Sequence, residues 1–246
     1  MYYNDILKFQ WEVYAHPIFS KTGNFPPEMI KRIADKSAAQ GFLRSRLPEL
    51  TSEEVKFIQG TSDLFGLNHY STSFVYRNES SSKTNPVPSF GDDLDTITYQ
   101  LSEWKIGRSN FTKYVPWGFR SLFNSISHQY GNPPIFVTEN GFATHGGIND
   151  EDRVTYYRGY LNALLDAIDD GVDIRGYTAW SLMDNFEWTN GYTERFGLYE
   201  VDYNDPNRTR TPRKSAYVLK EIMRTRSIDP NYEPDMNQPL TIDDGH

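Results

Sequence analysis

Short apolar runs that end in polar or aromatic residues alternate along the chain with amphipathic helical patterns. The apolar runs predict three strands, at 64–70, 135–139 and 174–182. The helical patterns lie at 5–15, 27–39, 51–58, 116–130, 150–170 and 214–225. This alternation is typical of parallel βαβ units, so the predicted fold class is α/β.

Local signals set the helix boundaries. Pro17 and the Gly23–Pro27 segment are expected to break the first helix, and Thr51 with Glu54 predicts a capping box. Asn149 or Asp150 is expected to cap the long helix, which ends before Gly171. Its apolar stripe is interpreted as core rather than as a site, and comprises Val154, Tyr157, Leu161, Leu164 and Ile168.

Neither repeats nor a clear domain boundary divide the chain, so residues 1–246 are predicted to form a single, partial domain. Residues 71–116 are rich in Ser, Pro and Asn and weakly periodic, which favours a long active-site loop. The tail at 227–246 is expected to be extended. A closed parallel barrel needs eight strands, and only three are convincing here, so strands 64–70 and 174–182 should have open edges.

The second strand ends in the most informative segment of the chain. Residues 135–141 read Ile-Phe-Val-Thr-Glu-Asn-Gly, so Glu139 falls at the C-terminal tip of a buried strand. A carboxylate there is costly unless it is paired, and barrel and open α/β enzymes keep their catalytic groups at such tips. Glu139 is therefore the first catalytic candidate.

The other strand ends carry polar and aromatic side chains as well. The first offers Asn68 and Tyr70, and alternation points His69 the other way, towards packing. The third strand and its loop offer Trp180, Asp184, Asn185, Glu187, Trp188, Arg195 and Phe196. Carboxylates and amides bind hydroxyl groups and aromatic faces cover C–H surfaces, so the set suits a neutral polyol.

Composition narrows the possibilities without deciding among them. Aromatic residues make up 15% of the chain, which fits either sugar stacking or an aromatic core. A net charge of -8 argues against a nucleic-acid partner, and no apolar run is long enough for a transmembrane helix. No Cys is present, and the sequence predicts neither a metal site nor a cofactor.

Several motifs, in order over nearly the whole chain, resemble glycoside hydrolase family 1, the β-glucosidase family. They are His16–Phe19, Gly66–Tyr70, Thr138–Gly141, Ala179–Trp188, Gly191-Tyr192 and Arg195–Tyr199. The resemblance implies a retaining β-glycosidase whose nucleophile is Glu139, with Tyr70 as its hydrogen-bond partner. Its intact Glu187-Trp188 pair argues against phosphorylated sugars.

The same resemblance implies the substrate-binding residues. Asn68 would lie near the nucleophile, Trp180 under the sugar ring, and Glu187 at its far hydroxyls with Trp188 beside it. Phe196 would line this pocket and Trp104 would contact the aglycone. Asp184 and Asn185 are interpreted as braces of a buried loop.

One family motif does not occur. The general acid/base of the family lies in an Asn-Glu-Pro motif, and the only Asn-Glu here is Asn78-Glu79, followed by Ser. The chain is therefore interpreted as the C-terminal part of a (β/α)8 TIM barrel, strands six to eight with their helices, inactive alone. The expected partners are a β-glucoside or related sugar and an N-terminal barrel half or a second copy.

Two other functions remain open: a noncatalytic carbohydrate-binding or regulatory fragment, and a thioglucosidase. The N-terminus lacks the basic and apolar regions of a signal peptide, so none is expected in this chain. A secreted or digestive, lysosome-type location is expected for a full-length parent. Sequons begin at Asn78, Asn110 and Asn207.

Overall fold

A computed structural model describes residues 8–78 and 85–240, which form two compact units. The first contains the described residues of 1–65, 73–101 and 126–133, and the second those of 66–72, 102–125 and 134–246. The start of the predicted first helix, Glu79 and the last residues of the tail lie outside the described residues. The single domain over 1–246 stays a prediction.

The structure contains the three predicted strands with helices before and between them, together with four short strands that the sequence did not predict. The helices are α1 Val13–Phe19, preceded by a π-helical turn Lys8–Glu12, α2 Pro27–Ala39, α3 Ser52–Ile58, α4 Phe90–Leu94, α5 Pro116–Tyr130, α6 Glu151–Asp169 and α7 Lys214–Thr225. A 3-10 turn spans Trp188–Asn190. The strands are β1 Phe65–His69, β2 Phe74–Arg77, β3 Thr96–Tyr99, β4 Ile135–Asn140, β5 Ile174–Ala179, β6 Tyr199–Val201 and β7 Arg210–Pro212.

A three-stranded sheet with the order β1–β4–β5 positions the site residues. Strands β4 and β5 are parallel, with Ile135 opposite Ile174 and Asn140 opposite Ala179. Parallel strands end at the same edge of a sheet, so the residues after both strands lie close together. Among the described strands β1 and β5 are the outer members of this sheet, as the sequence predicts.

Strand β5 is shorter than predicted, since it ends at Ala179 and not at Leu182. The backbone N–H of Trp180 still donates to Asn140 O at 2.8 Å. Beyond it, Ser181 pairs with residues 196–198 of the following loop instead, donating to Phe196 O at 3.1 Å. The chain leaves the sheet here because this loop competes for its backbone hydrogen bonds.

The segment 71–116 is not the structureless loop that its composition suggests. Strands β2 and β3 form an antiparallel pair within the first unit, and α4 lies between them in the sequence. Two ion pairs attach this region to the rest of that unit, Lys36–Asp95 at 2.7 Å and Arg46–Asp93 at 2.6 Å. Sequence periodicity does not reveal it because its strands are largely exposed, and because Leu94 and Val75 pack against Met29 and Ile33, which are far away in the sequence.

One predicted helix break and one predicted capping bond are wrong. Pro17 lies inside α1, where it removes only one backbone donor from a helix that ends two residues later. Asp150 precedes α6, but its side chain forms no capping bond to the helix. Its carboxylate instead binds Arg153 at 2.6 Å and the hydroxyl of Ser215 at 2.6 Å, so a buried ion pair replaces the cap.

The core of the second unit lies behind the sheet, on α6. Val154, Tyr157 and Leu164 of the predicted stripe are buried, whereas Ile168 near the helix end is 40% exposed. Tyr156 and Tyr160 stack on each other with ring centroids 4.0 Å apart. The core of this unit is therefore strongly aromatic, and it accounts for part of the high aromatic content of the chain.

Candidate active site

Glu139 lies at the tip of β4, half-buried, and receives a hydrogen bond from Tyr70. The Tyr70 hydroxyl donates to Glu139 Oε2 at 2.5 Å. Burial, reinforced by the Glu139 carboxylate, raises the pKa of Tyr70 far above its usual range. Tyr70 therefore stays a neutral donor at any ordinary pH, and the carboxylate is held by a short, charge-assisted hydrogen bond.

Trp180 and Glu187 form a second pair beside this tip. The indole N–H of Trp180 donates to Glu187 Oε1 at 3.1 Å, and Glu187 is only 9% exposed. Burial raises the pKa of Glu187; the Trp180 hydrogen bond opposes this, and the charges of Glu194 and Glu139 add to it. The influence of Glu139 on Glu187 places the two carboxylates in one electrostatic environment.

Phe196 and Asn68 flank the Tyr70–Glu139 pair. Phe196 is buried and meets the Tyr70 ring edge-on, with centroids 5.9 Å apart. Asn68 is exposed on the face of β1, where its Oδ1 accepts a hydrogen bond from the Thr138 hydroxyl at 2.5 Å. The Phe196 ring thus packs against Tyr70, and the Asn68 amide is bonded to the residue before Glu139.

The remaining two predicted residues are tryptophans on the loops around the sheet. Trp188 follows Glu187 directly, but 83% of it is exposed. Trp104 is half-buried and packs edge-on against Trp117, with ring centroids 6.1 Å apart. The hydrogen bonds that bring Tyr70, Glu139 and Glu187 into place involve neither indole.

Asn140, next to the candidate nucleophile, is a structural centre that the sequence analysis missed. Its side chain is fully buried and donates to His69 O at 2.7 Å and to the Tyr156 hydroxyl at 2.9 Å. Its Oδ1 accepts from the Tyr177 hydroxyl at 2.8 Å. One amide thus ties β1, β5 and α6 to the tip of β4, and its position after Glu139 was the available signal.

Tyrosine hydroxyls of α6 hold the backbone of the other site residues. Tyr156 donates to Tyr70 O at 3.0 Å, and Tyr157 donates to Trp180 O at 3.2 Å. The segment after Trp180 also approaches closely, since a Cβ on Gly141 would lie 1.9 Å from Trp180 O. Position 141 therefore requires glycine because its backbone lies against the backbone of Trp180, and not only because the chain turns there.

The loop that carries Glu187 is anchored by a buried ion pair. The Asp184 carboxylate receives both terminal nitrogens of Arg213, at 2.9 and 2.8 Å, and the backbone N–H of Gly197 at 3.0 Å. Asp184 and Arg213 are both fully buried at their side chains. Asn185 donates to the Ser181 hydroxyl at 3.0 Å, so both residues brace the loop, as predicted.

His69 packs against other rings, also as predicted. It is buried, with its ring centroid 4.7 Å from Phe119 and 5.8 Å from Tyr160. Burial lowers the pKa of His69 to about 4, so the ring is neutral at physiological pH. Such a ring contributes packing and no charge to the site.

The part of the chain that the structure describes contains no group of three acidic or His side chains placed to hold a metal ion. Within the same part, no helix is long and apolar enough to cross a membrane.

Residues 3–228 match glycosyl hydrolase family 1. The chain is 42% identical to rat lactase/phlorizin hydrolase over 231 residues, covering 93% of this chain and 12% of that protein. Aphid myrosinase superposes with a TM-score of 0.82 at 37% identity, covering 91% of this chain and 47% of that one. A rice β-glucosidase mutant in covalent complex with Glc gives a TM-score of 0.78 at 33% identity, with coverage of 87% and 45%.

The parallel sheet with Glu139 at one strand tip and the match over almost the whole chain place this protein among the glycoside hydrolases with a (β/α)8 barrel. The chain belongs to glycosyl hydrolase family 1. It spans about half the length of the solved relatives above, so its fold is part of such a barrel.

Proposed function

We propose that the chain carries the nucleophile and the sugar-binding side of a retaining β-glycosidase acting on unphosphorylated β-glucosides. The observation that carries this proposal is the 2.5 Å hydrogen bond from Tyr70 to Glu139 at a strand tip. Trp180 and Glu187 lie at the next strand end and supply the aromatic platform and the hydroxyl acceptor for the sugar.

In this mechanism the Glu139 carboxylate attacks the anomeric carbon, the leaving-group oxygen departs, and a covalent glycosyl-enzyme forms. Tyr70 holds the attacking carboxylate in one orientation through its hydrogen bond. Phe196 and the Tyr70 ring exclude water from one side of that carboxylate. Water then cleaves the glycosyl-enzyme and releases the sugar with its original anomeric configuration.

A retaining glycosidase needs a second carboxyl group, which protonates the leaving group, about 5–5.5 Å from the first. No Asn-Glu-Pro motif occurs in the sequence. We therefore assign this group to a complementary N-terminal barrel half, with a second copy of the chain as the other candidate partner. Trp104 and Trp188 would complete the pocket towards the aglycone and the sugar.

The test uses a substrate that needs no acid. 2,4-Dinitrophenyl 2-deoxy-2-fluoro-β-glucoside loses its phenolate unprotonated, and its fluorine slows hydrolysis of the glycosyl-enzyme. The chain, alone and mixed with a complementary half, should gain one fluoroglucosyl group on the peptide that contains Glu139. Glu139→Gln should gain none, and Glu103→Gln, which removes an exposed carboxylate, should label as the unmodified chain does.

Labelling at another residue, or labelling of Glu139→Gln at the unmodified rate, would refute the nucleophile assignment. A folded mixture that binds glucose but never labels would favour a noncatalytic carbohydrate-binding fragment instead. Glucose binding that survives both Trp180→Ala and Glu187→Ala would contradict the pocket itself.

A thioglucosidase is the second candidate, and the similarity to aphid myrosinase favours it. A thiol leaves with less need for protonation than an alcohol, so the missing acid matters less for a thioglucoside. Hydrolysis rates of matched aryl O- and S-glucosides by the complemented chain distinguish the two. Cleavage of the S-glucoside at least as fast as the O-glucoside would support this candidate.

A further inference from the structure

A short turn of the second unit places two buried carboxylates beside the sugar-binding group. Glu187 and Glu194 lie at its two ends, and each is only 9% exposed. The neighbouring cations, Arg195 and Arg213, pair with Asp184 instead. Among the described residues neither glutamate forms an ion pair, and two buried carboxylates without a cation are costly for folding.

The turn holds both groups in fixed positions. The backbone N–H of Glu187 donates to Gly191 O at 2.7 Å, and that of Asn190 donates to Glu187 O at 2.9 Å. The side-chain amide of Asn190 donates to Glu194 Oε1 at 3.0 Å. Asn190 thus links the two acidic residues through its backbone and its side chain, and Glu194 cannot turn away to solvent without breaking this link.

We propose that Glu194 determines the charge selectivity of the sugar pocket. Together with Glu187 it forms a doubly negative wall that accepts neutral hydroxyl groups and repels glycones with a carboxylate or phosphate at that end. This inference rests on the proposed function, since it takes Glu187 as the residue that binds the far hydroxyls of the sugar. Glu194 acts through the electrostatic potential that its charge creates in the pocket, so it need not touch the sugar.

The coupling between the two carboxylates supports this role. Burial raises the pKa of Glu187, the Trp180 hydrogen bond opposes the shift, and the charge of Glu194 raises the pKa further. The charge of Glu139 acts on Glu187 in the same direction. An anionic sugar group at Glu187 would meet the same repulsion, which low-dielectric surroundings strengthen. A neutral hydroxyl group meets no such penalty.

The experiment compares two substrates that differ in that one charge. The complemented chain is assayed with 4-nitrophenyl β-glucoside and 4-nitrophenyl β-glucuronide, and the ratio of their kcat/KM values measures charge selectivity. Glu194→Gln keeps an oxygen acceptor for Asn190 but removes the charge, so the ratio should fall by about tenfold or more. Glu53→Gln on α3 removes an exposed charge and should leave the ratio unchanged.

A second measurement uses the chain alone and requires no catalysis. The Trp180 indole donates to Glu187, so the pH titration of Trp180 fluorescence, taken as the difference from a Trp180→Phe variant, reports the protonation of Glu187. Glu194→Gln should shift its midpoint down by about one pH unit, a tenfold lower proton affinity. Should Glu194→Gln fail to fold, Glu194→Met tests the same loss of charge.

The outcomes separate this inference from the proposed function. An unchanged ratio in a variant that still cleaves the glucoside overturns the role of Glu194 and leaves the glycosidase standing. If the complemented unmodified chain cleaves neither substrate, the proposed function fails. In that case the fluorescence titration still tests the influence of Glu194 on Glu187. An unshifted midpoint in Glu194→Gln overturns this influence, whereas a shifted midpoint supports it.

Discussion

Gly141→Ala should displace the backbone that carries Trp180 and destabilise the second unit. A Cβ at this position would lie 1.9 Å from Trp180 O and 2.9 Å from the carbonyl carbon. Contacts of a real Cβ are essentially never below 3.0 Å, so the carbonyl would have to move by at least 1.1 Å. Both partners are backbone atoms, which cannot rotate away as a side chain would.

The same carbonyl accepts the hydroxyl of Tyr157 at 3.2 Å, so the displacement also strains a buried hydrogen bond. Overpacking commonly costs 1–3 kcal/mol and a lost hydrogen bond about 1 kcal/mol, so we expect a loss of about 3 kcal/mol. The free energy of unfolding is measured by urea titration followed by near-ultraviolet circular dichroism. Fluoroglucosyl labelling of Glu139 should slow as well, because Trp180 no longer lies under the sugar.

Gly66→Ala on β1 is the matched control. The nearest atom to its added Cβ would be Thr138 Cγ2 at 3.7 Å, an ordinary van der Waals contact. We expect a change of less than ~1 kcal/mol there. The reasoning is refuted if Gly141→Ala unfolds within 0.5 kcal/mol (about the effect of a neutral surface change) of the unmodified chain.

Three further predictions concern the site and its support. Tyr70→Phe removes a hydrogen bond to a charged group, worth about 1.5–3 kcal/mol, so labelling of Glu139 in stopped-flow or mass assays should slow about 10- to 100-fold. Asp184→Asn leaves the buried Arg213 charge uncompensated and should cost about 3–5 kcal/mol of unfolding free energy in a urea titration. His69 is neutral when folded, with a pKa of about 4 against 6.5 when unfolded, so unfolding takes up a proton between these values. Its contribution to stability is present above pH 6.5 and falls as the pH drops towards 4. The free energy of unfolding should decrease by about 2 kcal/mol between pH 7 and pH 5, and His69→Gln should remove this pH dependence.

Each of these has a control within the chain. Tyr70→Phe should lower the free energy of unfolding by no more than about 3 kcal/mol, and a larger destabilisation would assign Tyr70 a structural role instead. Asp170→Asn breaks a largely exposed pair with Arg120 and should cost no more than about 1 kcal/mol. His128→Gln, at the end of α5, should keep the acid dependence, and equal curves for His69→Gln and the unmodified chain would contradict the buried-histidine account.

Sequence patterns located the strand ends that carry the candidate site, because such ends can be recognised in the sequence. An apolar run that ends in Glu139, Tyr70 or Trp180 marks both the strand and the position of its last side chain. The helices 27–39 and 214–225 were found to the residue, because each has a strong apolar stripe and a clear start. Strand ends and helix boundaries depend on residues that are close in the sequence, so a sequence pattern can reveal them.

The missed features depend on neighbours far away in the sequence. Arg153 and Arg213 look like surface cations, yet both are fully buried. Arg213 pairs with Asp184, 29 residues away, and Arg153 donates to Gly197 O, 44 residues away, as well as to its neighbour Asp150. Nothing next to Asn140 indicates that Tyr177 and Tyr156 would satisfy its amide. Strands β2 and β3 were missed for a related reason, because the residues that hold their region, Met29, Ile33, Lys36 and Arg46, are far away in the sequence.

The tyrosines of α6 have a consequence for how such a site can diversify. Tyr156 and Tyr157 reach across to the carbonyls of Tyr70 and Trp180, and Tyr160 accepts from the N–H of Val115 at 3.2 Å. A single helix behind the sheet thus sets the depth at which each strand tip stops. If Glu139 acts as proposed, the loops around the leaving group could change in length or composition while these hydrogen bonds keep the strand tips in place, so that new substrates could be acquired without moving Glu139.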